Sequence, residues 1–192
     1  TLVESGEKTG TTDTTANIDT TKTFTGFTYD SENVNNVLSG NIEGDGSLVL
    51  KVHFARKGYT VTYKPGTQGT FEDQVTENVL FGANVPAFEG KPTGKAGYTF
   101  AEWDPEVPAT MPAKDVELIA TWTANEDTKY VVETYVMNTD GTYSNEATSS
   151  EERTGTTDTE VSVTEADKTA EEGFKYDVKA ENVESGKVAG DG

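Results

Sequence analysis

The chain has 192 residues, 34 acidic against 15 basic side chains, a net charge of −19 and no cysteine. That balance excludes nucleic acid and anionic membrane as main partners, since both bind through clustered Lys and Arg. It also excludes disulfides, thiolate metal sites and thiol catalysis, and a hydrophobic content of 33% suits small, thin modules better than one large core.

No apolar run approaches the length of about 18 residues that a membrane-spanning helix needs. With neither a signal peptide nor an initiator Met, the chain reads as a mature fragment or an excised window of a longer protein. Thr supplies roughly one residue in six, and its branched Cβ favours extended backbone. No segment sustains a helical hydrophobic period, so a mainly β chain with few or no long helices is expected. A disordered Thr-rich stalk would lack the alternating aromatics found along this chain. No Asn-x-Ser/Thr sequon is present.

In chain order, the first landmarks are TGTTDT at Thr9–Thr14, Gly26-Phe27-Thr28-Tyr29-Asp30, Ser39-Gly40 and Gly44-Asp45-Gly46. SLVLKVHFARK follows at Ser47–Lys57. Leu48, Leu50, Val52 and Phe54 share one face of that segment; Lys51 and His53 share the other, so His53 is expected to face solvent on a strand. It is the only histidine. With one His and no Cys, neither a catalytic triad nor a zinc site has its parts.

A different unit occupies residues 58–125. Tyr59, Val61 and Tyr63 alternate with Thr60, Thr62 and Lys64, the period of a half-buried strand. Gly97–Trp103 (GYTFAEW) follows, with Tyr98 and Phe100 alternating. Val116, Leu118, Ala120 and Trp122 then alternate with Glu117, Ile119 and Thr121. Between those two strands, DPEVPATMPAKD holds three prolines and reads as an ordered loop.

From residue 126 the first landmarks return. KYVVETYVMNTDGTY opens the segment, with Tyr130 and Val132 alternating. TGTTDT recurs at Thr154–Thr159, Gly-Phe-x-Tyr-Asp at Gly173–Asp177 (including Phe174 and Tyr176), Ser-Gly at Ser185-Gly186 and Gly-Asp-Gly at Gly190–Gly192. The offset between matching landmarks stays between 145 and 147 residues. Two copies of one module therefore flank a different unit, the mark of an array. The expected division is 1–57, the C-terminal part of a module; 58–125, a whole unit; and 126–192, the N-terminal part of a second copy.

The central segment GYTFAEWDPEVPATMPAKDVELIATW resembles the second half of a Listeria–Bacteroides repeat, the B-repeat type found in internalin B. Tyr59–Tyr63, Gly97–Trp103 and Val116–Trp122 match its opening, middle and closing strands. The flanking copies are similar to mucin-binding-like companion repeats. The resemblance implies small β-grasp-like units in tandem, from a wall-anchored, extracellular bacterial surface protein. One departure is Glu102-Trp103, where the family reads Gly-Trp; Glu102 is expected to face water rather than a bulge.

The implied core comprises Tyr59, Val61, Tyr63, Tyr98, Phe100, Trp103, Leu118, Trp122, Phe27, Tyr29, Phe174 and Tyr176. Trp103, Trp122, Tyr98 and Phe100 could instead form a glycan platform, but their alternating placement favours core. Paired acids such as Glu151-Glu152, Glu171-Glu172 and Glu72-Asp73 read as solvated faces. Asn138–Gly141 and Gly44–Gly46 read as hairpin turns rather than calcium loops, since no bidentate closing Glu follows at the required spacing. A Lys–Asn isopeptide staple would need a buried Lys, Asn and acid together, a juxtaposition that sequence alone does not display.

The expected function is a non-enzymatic spacer in a surface adhesin-like protein, with no cofactor or metal. Its expected partners are neighbouring modules. Short linkers near Lys57-Gly58 and Ala124–Asp127 limit bending, and like charge on successive segments (−3, −5 and −11) favours extension. Two alternatives remain. One is binding of host glycan, mucin or protein. The other is head-to-tail self-assembly by strand exchange, with Leu48, Leu50, Val52, Phe54, Tyr130 and Val132 on the candidate exchange segments.

Overall fold

The computed structural model describes residues 4–192. Its regular structure is entirely β: twelve strands and no helix among the described residues. In the first segment β1 (Thr15–Asn17) pairs antiparallel with β3 (Ser39–Asn41), and β2 (Phe27–Tyr29) with β4 (Phe54–Arg56). The central segment supplies β5 (Gly58–Lys64), β6 (Gln74–Leu80), β7 (Tyr98–Asp104) and β8 (Val116–Ala124), in the sheet order β6-β5-β8-β7. The last segment pairs β9 (Thr128–Thr134) with β10 (Ser149–Gly155), and β11 (Glu160–Ser162) with β12 (Ser185–Lys187).

The chain forms two compact units. One comprises Thr1–Thr62, Val75–Ala87 and Val107–Glu117; the other comprises Tyr63–Gln74, Phe88–Glu106 and Leu118–Gly192. Residues of the central segment therefore contribute to both.

The first unit buries Val61, Val79, Met111 and Val116; the second buries Tyr63, Leu118, Ala120 and Val188. The period-2 reading of β8 holds: Val116, Leu118 and Ala120 are buried while Ile119 is 39% exposed. Met111 and Val188 are each only 1% exposed, yet neither lies in an alternating run. Met111 sits in the proline-rich loop, where its N–H bonds the Ala83 carbonyl and its own carbonyl takes the Gly82 N–H. That loop is thus pinned at both groups, and a flexible thioether fills the gap beneath it.

β7 carries a bulge. Phe100 lies opposite Trp122 but Trp103 lies opposite Ala120, so one extra residue sits on β7. The Thr121 hydroxyl stitches it, accepting the Glu102 N–H at 3.2 Å and donating to the Glu102 carbonyl at 3.0 Å. Glu102 does face water, but the bulge forms without glycine. This position needs no positive φ, and the local hydroxyl supplies the displaced backbone groups with partners.

Candidate functional site

Six aromatic residues of the second unit, Tyr63, Phe71, Phe88, Phe100, Trp103 and Trp122, form one chain of rings. The Trp103 centroid lies 4.7 Å from Tyr63, 5.2 Å from Phe88, 5.2 Å from Phe100 and 6.1 Å from Phe71. Phe100 continues to Trp122 at 5.8 Å, edge-on. Trp122 donates its Nε1–H to the Pro65 carbonyl at 2.8 Å. Its ring lies against Gly94, where a Cβ would fall 2.4 Å from the ring. The ring faces are thus spent on each other and on backbone, as in a core, rather than laid out as a platform for a sugar. Burial also pushes the Tyr63 phenol above its ordinary pKa. Tyr59, Tyr98, Phe100, Trp103 and Trp122 are half-buried, whereas Val61, Tyr63 and Leu118 are fully buried.

The acidic turns are engaged as turns. Gly141 has φ 83° and donates its N–H to the Asn138 carbonyl at 3.0 Å, while Asp140 accepts the Thr142 N–H and hydroxyl. Those bonds hold the Asp140 carboxyl below its usual range. Asp45 does the same toward Ser47. No group of three His, Asp or Glu among the described residues could hold a metal ion. His53 departs from its expected place. It precedes β4 in irregular backbone and is half-buried, with its N–H and Nδ1 both on Asn36 Oδ1, at 2.9 and 3.0 Å. Asn36 could not be read as its partner, because 17 residues separate them.

The segment boundaries are bonded into their surroundings. One residue, Lys57, separates β4 from β5; it donates its N–H to the Gly26 carbonyl and accepts the Phe81 N–H, both at 2.8 Å. Phe27 packs edge-on against Phe81 at 5.7 Å. Three residues, 125–127, separate β8 from β9. Asn125 donates its N–H to Gly97 O at 2.8 Å and accepts the Thr157 N–H at 2.9 Å, and its side chain takes the Thr99 hydroxyl at 2.7 Å. Tyr98 donates its hydroxyl to Asp158 at 2.5 Å, and Thr157, 3% exposed, shares a hydroxyl bond of 2.7 Å with Thr128. Asn125 is thus held to the central segment through its N–H and side chain and to the final segment through its carbonyl, and Tyr98–Asp158 adds a second bond between the two, so this boundary has no loose tether.

The two TGTTDT stretches adopt one geometry. Asp13 and Asp158 have φ 63° and 62°. Their N–H groups bond the carbonyls of Ile42 and Val188, at 3.0 and 2.9 Å. Thr14 and Thr159 each donate a hydroxyl to the carbonyl three residues back, at 2.6 Å in both. β1–β3 and β11–β12 follow with matched registers, Ala16 opposite Gly40 and Val161 opposite Gly186. Their surroundings differ. Val188 is buried, with its side chain close against Gly155, whereas its counterpart Ile42 is half-buried.

The later landmarks diverge in burial. Phe27 and Tyr29 are half-buried in β2, but Phe174 is 55% exposed and lies in no strand. The core assignment of Phe174 is therefore corrected. β4 covers the equivalent edge in the first copy, and residues 126–192 contain no equivalent of it. Tyr176 is half-buried and donates its hydroxyl to Glu184 at 2.6 Å. On the candidate exchange segments, Leu48, Leu50, Val52 and Phe54 are half-buried while Val49 is 62% exposed. Tyr130 and Val132 are half-buried in β9, already paired with Arg153 and Glu151 of β10.

Within the last segment, Arg153 of β10 forks onto Asp167, Nη1 to Oδ2 at 2.9 Å and Nη2 to Oδ1 at 2.5 Å. The Thr164 N–H and hydroxyl also bond Asp167. The guanidinium foremost, and then the Thr164 N–H, hold the Asp167 carboxyl well below the usual carboxylate range. A carboxyl whose folded pKa lies below its unfolded value, about 3.9, stabilises the fold above that pH; the contribution is lost as pH falls through the folded value. Asp167→Asn is thus expected to lower the melting temperature of this segment by a few degrees at pH 7. The difference from wild type should close as the pH is taken below about 4. Thermal scans between pH 7 and pH 2.5 check this, and a difference that stays constant with pH would contradict it.

Comparison of the chain with family models, with curated proteins and with solved structures finds no match.

Proposed function

We propose that this chain is a spacer: part of a tandem array of small β units in the stalk of an extracellular bacterial surface protein of adhesin type. The observation that carries the reading is the Asn125 boundary, where a three-residue connection is bonded into both flanking elements. A spacer must transmit position, and a boundary without a free tether does so. The one-residue connection at Lys57, bonded on both sides, supports the same reading. The high acidic charge disfavours collapse of the array on itself or on an anionic wall.

Two further observations support a B-repeat-like, β-grasp-like central unit. Its first and last strands, β5 and β8, lie side by side at the centre of the sheet, with β6 and β7 outside, as in a β-grasp. The GYTFAEW and VELIATW strands that carry the resemblance are adjacent and joined by the bulge at Glu102. The glycan-binding alternative has less support, because the central aromatics contact each other.

Surface display tests the reading. The chain, anchored alone on bacterial cells, is expected to confer no adhesion to mucin or to an array of host glycans. Inserted beneath a separate binding head, it is expected to increase capture by that head. Saturable glycan binding by the chain alone would overturn the spacer reading in favour of an adhesive module.

A further inference from the structure

We propose that the central segment is a mechanical clamp, in which β5 and β8 form a ladder that resists tension passed along the chain by being loaded in shear. The strands that begin and end this segment are neighbours in the sheet β6-β5-β8-β7. They also run in the same direction. The Thr60 N–H, early in β5, bonds Asp115 Oδ1 at 2.8 Å, just before β8 begins. Past the other end of β5, a Cβ on Gly66 would stand 2.3 Å from the Ala120 carbonyl oxygen, and the Pro65 carbonyl takes the Trp122 Nε1–H at 2.8 Å. Residue numbers thus rise together along the two strands, as they do only in a parallel pair.

That direction fixes how tension acts. Load enters β5 at Gly58 and leaves β8 at Ala124. In a parallel pair the start of one strand and the end of the other lie at opposite ends of the ladder. Pulling there slides the strands past each other and strains every ladder bond at once. Antiparallel first and last strands would instead peel from one end, one bond at a time. The connections add little slack: one residue separates β4 from β5, and three separate β8 from β9.

The ladder is also dry. Val61 and Tyr63 on β5 and Val116, Leu118 and Ala120 on β8 are buried, Val61 and Leu118 completely. Water must reach a backbone hydrogen bond to replace it, so bonds flanked by buried side chains keep more of their strength. Two side-chain bonds reinforce the pair where the load is applied, Asp115 to Thr60 near the start of β5 and Trp122 to Pro65 near the end of β8. The inference goes beyond the spacer reading. That the tension comes from a tethered head rests on that reading, but the clamp is a property of residues 58–124, so each can fail alone.

Single-molecule force spectroscopy of the intact 192-residue chain tests it. The chain has no cysteine, so pairs of introduced thiols set the pulling points. Lys57→Cys with Glu126→Cys pulls along the ladder; Lys57→Cys with Lys114→Cys pulls the two strand starts apart. All three positions are exposed, so the circular dichroism of both variants should match wild type. At one loading rate, the rupture force is expected to be at least about twofold higher along the ladder, because the bonds share the load there. The chain released between residues 57 and 126, at most about 240 Å, identifies the event. Trp122→Phe removes the bond to Pro65. Under constant force it should speed rupture about fivefold along the ladder and leave peeling unchanged, since peeling starts at the other end. Equal rupture forces in the two directions would overturn the proposal. Equal effects of Trp122→Phe in both directions would also overturn it, since that bond would then stabilise the fold without belonging to a clamp.

Discussion

Replacing Gly97 with alanine is expected to destabilise the second unit by at least about 2 kcal/mol, the sum of a left-handed backbone penalty and a backbone clash. Gly97 has φ 79°, and a Cβ there would stand 2.5 Å from the Gly190 Cα and 2.5 Å from Thr157 Oγ1. Gly190 has no side chain to yield, so backbone must move. The displaced groups are the ones that seal the boundary, since Gly97 O takes the Asn125 N–H and Tyr98 bonds Asp158. Gly82 supplies the control. It also has positive φ, 75°, but its Cβ would meet nothing within 4 Å. Gly82→Ala should therefore cost only about 1 kcal/mol, from backbone strain alone. Hydrogen exchange should show the Asn125 and Thr157 amides losing protection in Gly97→Ala and keeping it in Gly82→Ala. Equal effects of the two substitutions would mean that the close approach at Gly97 contributes nothing.

Trp103→Ala should be the most damaging single side-chain truncation, costing about 3–5 kcal/mol. Its ring touches Tyr63, Phe71, Phe88 and Phe100. Removing it leaves four aromatic neighbours without a shared partner, against a total stability of about 5–15 kcal/mol for a typical domain. Urea unfolding followed by Trp122 fluorescence measures the loss. If stability barely changes, the ring cluster is not the core of this unit. If a glycan affinity disappears at the same time, the cluster is a binding surface instead.

What could be read from residues alone follows from the range of each signal. The period-2 runs at Tyr59–Tyr63 and Val116–Trp122 announced their strands and the buried face, because alternation is a local property. The two TGTTDT stretches announced a repeated module but not its local geometry, which is a turn with both Asp residues in the left-handed conformation. Met111 and Val188 were not legible as core, since neither sits in a run and their burial comes from chain far away in sequence. Phe174 misled for the complementary reason. Its local pattern matches Phe27, but burial depends on a partner strand that the pattern does not contain. Asn36 was also missed as the partner of His53, because 17 residues separate them.

A spacer role requires above all a stiff boundary at Asn125. Spin labels at Glu102 in β7 and Glu160 in β11, both exposed and both in the second unit, would report it through pulsed dipolar spectroscopy. A single narrow distance distribution, broadened by Gly97→Ala, is the predicted result. A broad distribution in the wild-type chain, unchanged by that substitution, would mean that the two elements are loosely tethered and would contradict the spacer account.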